Sequence, residues 1–142
     1  MQRIVGEEID LSLAVHTSTG IINRFEYYEY NICLHNTLTK VGYIDLRLGY
    51  TDYLYYLGNV GYGIEEKYRG NSYAYKACLL IFEVARKLEL PYLIITCDPD
   101  NVASNKTLQK LDGEFLGISK IPSTCMLYLQ GDREKCIYRY DL

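Results

Sequence analysis

Between Ala74 and Cys97 the sequence changes its period. Ala74, Ala77, Cys78, Ile81, Ala85 and Leu88 are spaced 3, 1, 3, 4 and 3 residues apart, the apolar stripe of an amphipathic helix. Lys76, Glu83, Arg86 and Lys87 fall largely off that stripe. Pro91 then opens Tyr92-Leu93-Ile94-Ile95-Thr96-Cys97, a continuous apolar run that reads as a strand buried on both faces, hence parallel. Asp98-Pro99-Asp100 breaks the run, Asn101 can cap a second helix over Val102–Leu111, and Gly113 ends it.

Strands flank this unit. Glu8–Val15 reads as a strand, followed by a turn at Thr17–Gly20, a strand over Arg24–His35 and a break at Asn36–Lys40. Val41–Leu48 alternates with one slip. Leu54–Ile64 reads as a further strand interrupted by Gly58, Gly61 and Gly63, which suggests a bulge or a close approach by another backbone or a ligand. Phe115–Ile121 and Lys135–Asp141 close the chain as strands. The fold class is therefore α+β: a mixed, mostly antiparallel central sheet with one right-handed βαβ crossover and flanking helices, forming a single domain over residues 1–142. A doubly wound fold would need several such crossovers.

Composition narrows the partners. A formal net charge of −3 over 142 residues argues against nucleic acid held by phosphate neutralisation. No apolar run approaches the roughly 18–20 residues of a membrane helix, so no membrane partner is expected. The N-terminal stretch turns acidic at Glu7-Glu8 and lacks the apolar centre of a signal peptide, which predicts a cytoplasmic protein. Five scattered cysteines, without a Cys-x-x-Cys pair and with only His16 and His35 as imidazoles, offer no metal site. Cys78 and Cys97 sit in apolar runs, as small hydrophobes do. The sixteen tyrosines, dense between Tyr27 and Tyr62, suit half-buried strands with wet hydroxyls.

The segment Gly61–Ala74 carries the chemistry. It joins a glycine-broken strand to the start of a helix through Arg69-Gly70-Asn71-Ser72-Tyr73-Ala74. Such a loop leaves the first helical N–H groups unpaired at the positive end of the helix dipole, beside a cationic Arg69 or Lys67. Those donors make a ready site for phosphate. The loop is not a nucleotide P-loop, because the terminal Gly-Lys-Ser/Thr is missing.

Residues 61–115 resemble the GCN5-related N-acetyltransferase (GNAT) family, closest to its ribosomal-protein-alanine acetyltransferase branch. The resemblance rests on the Arg69–Ala74 loop, read against Gln/Arg-x-x-Gly-x-Gly/Ala. It also rests on Asn101-Val102-Ala103-Ser104 followed by Leu111-Asp112-Gly113-Glu114-Phe115 at the matching interval. It implies an enzyme that moves acetyl from acetyl-CoA, its co-substrate, to an amine. The pyrophosphate would lie on the amides of Arg69, Gly70, Asn71, Ser72, Tyr73 and Ala74. The pantetheine arm would pair with the backbone of Tyr62, Gly63 and Ile64 between splayed strands, with an N–H near Ile64 polarising the thioester carbonyl. Asn101 and Asn105 would contact the cofactor. Ser104 could donate a proton to the leaving thiolate, and Asp98 could relay one through water. The partner is then an amine-bearing small molecule or a peptide or protein terminus. A homodimer is compatible with the resemblance.

Three departures from the family pattern stand out. Ser72 replaces the middle glycine of the loop, Leu108 stands where many members have a tyrosine acid, and Asn59 and Thr96 occupy places of catalytic carboxylates. These changes leave open an alternative: a catalytically silent acyl-CoA-binding module that acts as a sensor or interaction domain. For an active enzyme without an evident base, proton arithmetic favours α-amines. Deprotonating a lysine with pKa near 10.4 at pH 7 costs roughly 4–5 kcal/mol, against about 1–1.5 kcal/mol for an α-amine. The short span from Val15 to Arg24 leaves no room for the two helices that usually shape the acceptor pocket. The Ile118–Lys135 segment or another subunit would have to complete it, unless it stays open.

Overall fold

Tyr28, Tyr30 and Ile32 stand opposite Leu46, Ile44 and Gly42 across one strand pair and point into the core, so the tyrosine-rich alternation is a buried sheet face. The computed structural model describes residues 2–18 and 25–142. In chain order the elements are β1 (Arg3–Ile4), β2 (Ile9–Thr17), β3 (Glu26–Leu34), β4 (Lys40–Leu48), α1 (Asp52–Leu57) and β5 (Val60–Ile64). After one 3-10 turn at Glu66–Tyr68 come α2 (Tyr73–Lys87), β6 (Tyr92–Cys97), α3 (Val102–Lys110), β7 (Glu114–Lys120), α4 (Met126–Leu129) and β8 (Glu134–Asp141). The turn expected at Thr17–Gly20 lies partly outside the described residues; Thr17 itself ends β2.

Among the described residues the strands form two sheets, ordered β1-β2-β3-β4-β5 and β6-β8-β7, and every pairing is antiparallel. The β5–α2–β6 crossover is present, but β6 pairs with β8 and not with β5. The expectation that Tyr92–Cys97 is a parallel strand is thereby corrected. Its apolar run is explained by burial alone, with Leu93, Ile94, Ile95 and Cys97 inside. Helix α2 supplies the central layer through Ala77, Cys78, Ile81, Phe82, Val84 and Ala85. Fully burying a side chain such as Ile81 contributes about 1.5–3 kcal/mol.

The strand expected over Leu54–Ile64 is half helix. Thr51 accepts a hydrogen bond from Leu54 N (3.3 Å), Asp52 sits in the first turn and Gly58 ends the turn at φ +88°. Cap chemistry overrides the β-propensity of Tyr53, Tyr55 and Tyr56 here. At Gly58 the expected close approach of another backbone is present, since an added Cβ would lie 3.1 Å from Thr96 N, whereas Gly61 and Gly63 have another cause than the one expected. A Cβ at Gly61 would collide with the Arg47 guanidinium, and one at Gly63 would come within 2.7 Å of the Tyr43 ring. Side chains of β4, not a ligand, occupy that space. Likewise Asp112 takes the left-handed conformation after α3 (φ +59°), and Gly113 is needed because the Tyr140 ring packs on it.

Asp10, fully buried on β2, ties the N-terminal end together. It accepts from Arg3 (2.9 Å), His35 Nδ1 (3.0 Å), Gly6 N (3.0 Å) and Asn36 N (2.9 Å). Burial alone would raise its pKa, but those four donors outweigh it and hold the carboxyl well below the ordinary value. Four of the five cysteines are buried and all are free thiols; burial pushes Cys78 and Cys97 up to about 12.

Candidate functional site

The gap between the sheets is the central feature. At one end Asn59 bridges it: its N–H donates to Ile94 O (2.6 Å) and its Oδ1 accepts from Ile94 N (2.8 Å). The same side chain donates to Arg47 O and Gly49 O, both at 2.9 Å. Beyond Asn59, β5 pairs among the described residues only with β4. Hydrogen bonds Arg47 N to Asn59 O and Glu65 N to Val41 O bracket that ladder. Antiparallel alternation then turns the backbone groups of Tyr62 and Ile64 away from β4 and into the gap. Thr96, on the facing strand, donates its hydroxyl to Tyr56 O (2.8 Å) and Leu57 O (3.1 Å). The two positions where a catalytic carboxylate was missed are therefore structural ties, and neither side chain is available as a base.

Past the gap the chain enters the Arg69–Ala74 loop. Arg69 Nε donates to Ile64 O (3.0 Å), folding the loop back on the end of β5, and Asn71 donates to Tyr68 O (3.0 Å). Gly70 and Ser72 both adopt positive φ, +88° and +60°. Ser72 thus takes the conformation that a glycine would adopt freely, at roughly 1–2 kcal/mol of local strain. The first intrahelical bond of α2 runs from Lys76 N to Ser72 O (3.0 Å), which leaves the N–H groups of Tyr73 and Ala74 without helical partners. An exposed cationic side chain beside amides without helical partners at the start of a 15-residue helix is a donor arrangement of the kind that suits an anion such as phosphate.

Helix α3 faces the same gap. Asn101 Oδ1 accepts from Ser104 N (3.1 Å) and so caps the helix. Asn105 donates to Asn101 O (3.1 Å) and accepts from the Tyr138 hydroxyl (2.9 Å). Both asparagine side chains, expected at the cofactor, are engaged in shaping this loop. Ser104 is half-buried next to the Tyr62 hydroxyl, which is fully buried, lies against Ser104 and Thr107 and makes no hydrogen bond of good geometry. Burial pushes the Tyr62 pKa up to about 12, so its proton stays on at neutral pH. Leu108 is fully buried in the core. Asp98 is ion-paired with Lys135 (2.9 Å) and half-exposed. Tyr62 was placed in the sequence only by its backbone; its buried hydroxyl, beside Ser104 and Thr107, is the polar group that the sequence reading missed.

On the opposite face of the sheet, Tyr27 and Glu29 of β3 stand across from Arg47 and Asp45 of β4. The Tyr27 hydroxyl donates to Glu29 Oε1 (2.5 Å) and lies 3.5 Å from Asp45 Oδ2. Asp45 Oδ1 accepts from Gly61 N (3.1 Å) and pairs with Arg47 Nε (3.0 Å). Arg47 Nη1 in turn holds Leu57 O (3.2 Å) and Gly58 O (3.1 Å) at the end of α1. Burial raises the Asp45 pKa, and the Arg47 charge only partly offsets that. A cavity of about 690 Å³ opens beside this cluster, with Tyr27, Asp52, Tyr53, Tyr56, Met126 and Leu129 in its wall. Helix α4, within the Ile118–Lys135 segment, forms one side. The polar residues Glu29, Asp45 and Arg47 in the middle of β3 and β4 are the sequence signal that could have pointed here.

No curated protein matches the chain. Solved structures do, at low identity. A probable GNAT-family acetyltransferase from Chromobacterium violaceum has TM-score 0.70 and 14% identity over 99% of this chain and 86% of that one. The ribosomal-protein-S5-alanine acetyltransferase from Vibrio fischeri has TM-score 0.63 and 20% identity over 81% of this chain and 61% of that one. The microcin C7 self-immunity acetyltransferase MccE, in complex with acetyl-CoA and AMP, has TM-score 0.59 and 16% identity over 82% of this chain and 61% of that one. Against the last two the chain spans less than two thirds of the other's length. These structures share the fold. The acetyltransferase (GNAT) domain family matches residues 5–114, which include the gap, the loop and the first helices, and the chain belongs to that family.

Proposed function

We propose that this GNAT domain transfers acetyl from acetyl-CoA to the α-amine of a peptide or protein. The observation that carries the reading is the gap itself: the strand-like backbone groups of Tyr62 and the N–H of Ile64 turned away from β4 in line with the Arg69–Ala74 loop, which Arg69 folds back onto the Ile64 carbonyl. Acetyl-CoA supplies the acyl group. The Arg69–Ala74 amides hold its diphosphate, and the Tyr62 backbone pairs with the amide-bearing arm. The Ile64 N–H stabilises negative charge on the thioester oxygen. Ser104, with the Tyr62 hydroxyl behind it, gives a proton to the departing thiolate. The acceptor enters through the 690 Å³ cavity on the other face. The Vibrio fischeri neighbour is an alanine acetyltransferase for a ribosomal protein, and MccE was solved with acetyl-CoA, both consistent with this assignment.

The side-chain engagement of Asn59 and Thr96 favours a second reading, a silent acyl-CoA-binding module. Calorimetry with acetyl-CoA on wild type and Arg69→Glu, followed by acetylation of short peptides with free N-termini, separates the two. Micromolar binding weakened at least tenfold by the charge reversal, with turnover, supports the enzyme. Binding without turnover supports the silent module, and no binding by a folded sample overturns both.

A further inference from the structure

The acetyl-transfer reading leaves the amine's proton without a destination, since neither Asn59 nor Thr96 can take it. The face of the sheet opposite α2 provides one. Tyr27 lines the cavity, touches Glu29 at 2.5 Å and stands 3.5 Å from Asp45, whose other oxygen receives the Gly61 N–H at the start of β5. The chain of contacts runs from the cavity wall to the strand that borders the gap. We propose that Tyr27, backed by Glu29 and Asp45, takes the proton from a cationic acceptor amine in this cavity, and that the cavity selects an ammonium carried on an apolar body.

The step balances. The ammonium passes one proton to the Tyr27 oxygen as the phenol proton moves to the Glu29 carboxylate, so the net transfer is from nitrogen to Glu29 and then to solvent. The neutral amine forms the C–N bond, the C–S bond breaks, and the second N–H proton lost is balanced by the one the thiolate takes up. Tyr27 itself stays protonated at rest, because burial and then the bond to Glu29 push its pKa well above the ordinary value. The groups facing it are Glu29 on its own strand, Asp45 and Arg47 on β4, Asp52, Tyr53 and Tyr56 from α1, and Cys125 before α4. Among the described lining residues there is no Lys, Arg or His, while three tyrosine rings and Asp52 favour a cation. Phe25, Met126 and Leu129 provide apolar contact for the first side chain.

This inference rests on the acetyl-transfer reading, and the test keeps the two apart. Wild type, Tyr27→Phe and Glu29→Gln are assayed with X-Ala-Ala-amide peptides (X = Phe, Leu, Ser, Asp) between pH 6 and 9, alongside calorimetry with acetyl-CoA. The expected result is an at least tenfold lower kcat at pH 7 for both variants, with acetyl-CoA affinity within twofold of wild type. Their log kcat/KM should climb with unit slope from pH 6 towards the α-amine's own pKa of about 8 and level off above it, while the wild-type curve is flatter over the same range. Phe and Leu peptides should exceed the Asp peptide at least tenfold in kcat/KM. Wild-type kcat and pH profile in both variants would overturn the relay. Binding of acetyl-CoA with turnover of none of the peptides, or equal turnover of the Asp peptide, would overturn the acceptor class. Loss of acetyl-CoA binding by wild type would instead overturn the reading on which the inference rests.

Discussion

The two faces of the sheet beside the gap are built differently. The α2–α3 face takes its chemistry from contiguous sequence: the Arg69–Ala74 loop leads into α2, and Asn101–Asn105 opens α3. The opposite face is assembled from β3, β4, α1 and α4, elements separated by up to about a hundred residues, and none of its residues forms a motif. Local backbone geometry suffices to bind a phosphate, because the donors are successive amides. Recognition and deprotonation of an amine need side chains from several strands, which only the register brings together.

The largest expected effect tests what the two faces share. Asn59→Ala removes the tie between Arg47, Gly49 and Ile94, leaving one buried and two half-buried backbone groups unpaired. At about 1–3 kcal/mol each, urea unfolding should show a loss of ~3 kcal/mol or more, and both acetyl-CoA binding and turnover should fall. A loss confined to one face would show that the faces are not coupled through Asn59.

Arg69→Glu should break one face only. A tenfold weaker acetyl-CoA affinity, about 1.4 kcal/mol, is expected by calorimetry with peptide KM unchanged. A smaller effect is expected from Asp45, on the other face. Its folded pKa is raised above the ordinary 3.8, so its stabilising contribution is full below that value and is lost as pH rises through the folded pKa. Wild type should therefore lose stability relative to Asp45→Asn between pH 4 and 7, read from urea midpoints; parallel curves would deny that burial dominates there. Ser72→Gly should have the smallest effect. Relief of the left-handed strain is offset by backbone entropy, giving a stability change within about 1 kcal/mol and unchanged or tighter acetyl-CoA binding.

The asymmetry also explains what the sequence could show. The helical stripe of α2, the Asn101 cap and the loop are local patterns, and each is found within a residue or two of its expected place. Helix α1 was hidden because tyrosines suit strands, and its Thr51 cap and Gly58 stop are weaker signals than that preference. The break between β5 and β6 has no period of its own, since burial makes an unpaired strand and a paired one look alike. Tyr27, Glu29 and Asp45 become a cluster only when β3 and β4 are set in register. Tyr62 likewise gains its place beside Ser104 through folding.

The bridge at Asn59 has a consequence for how long the protein survives. Two sheets joined at one end of a gap keep part of their cohesion in whatever fills that gap, and a ligand that binds only the folded chain stabilises it by about 2.7 kcal/mol at a hundred times its Kd. Protease resistance of the chain should then track the acetyl-CoA concentration around it, making its abundance a slow record of acyl supply.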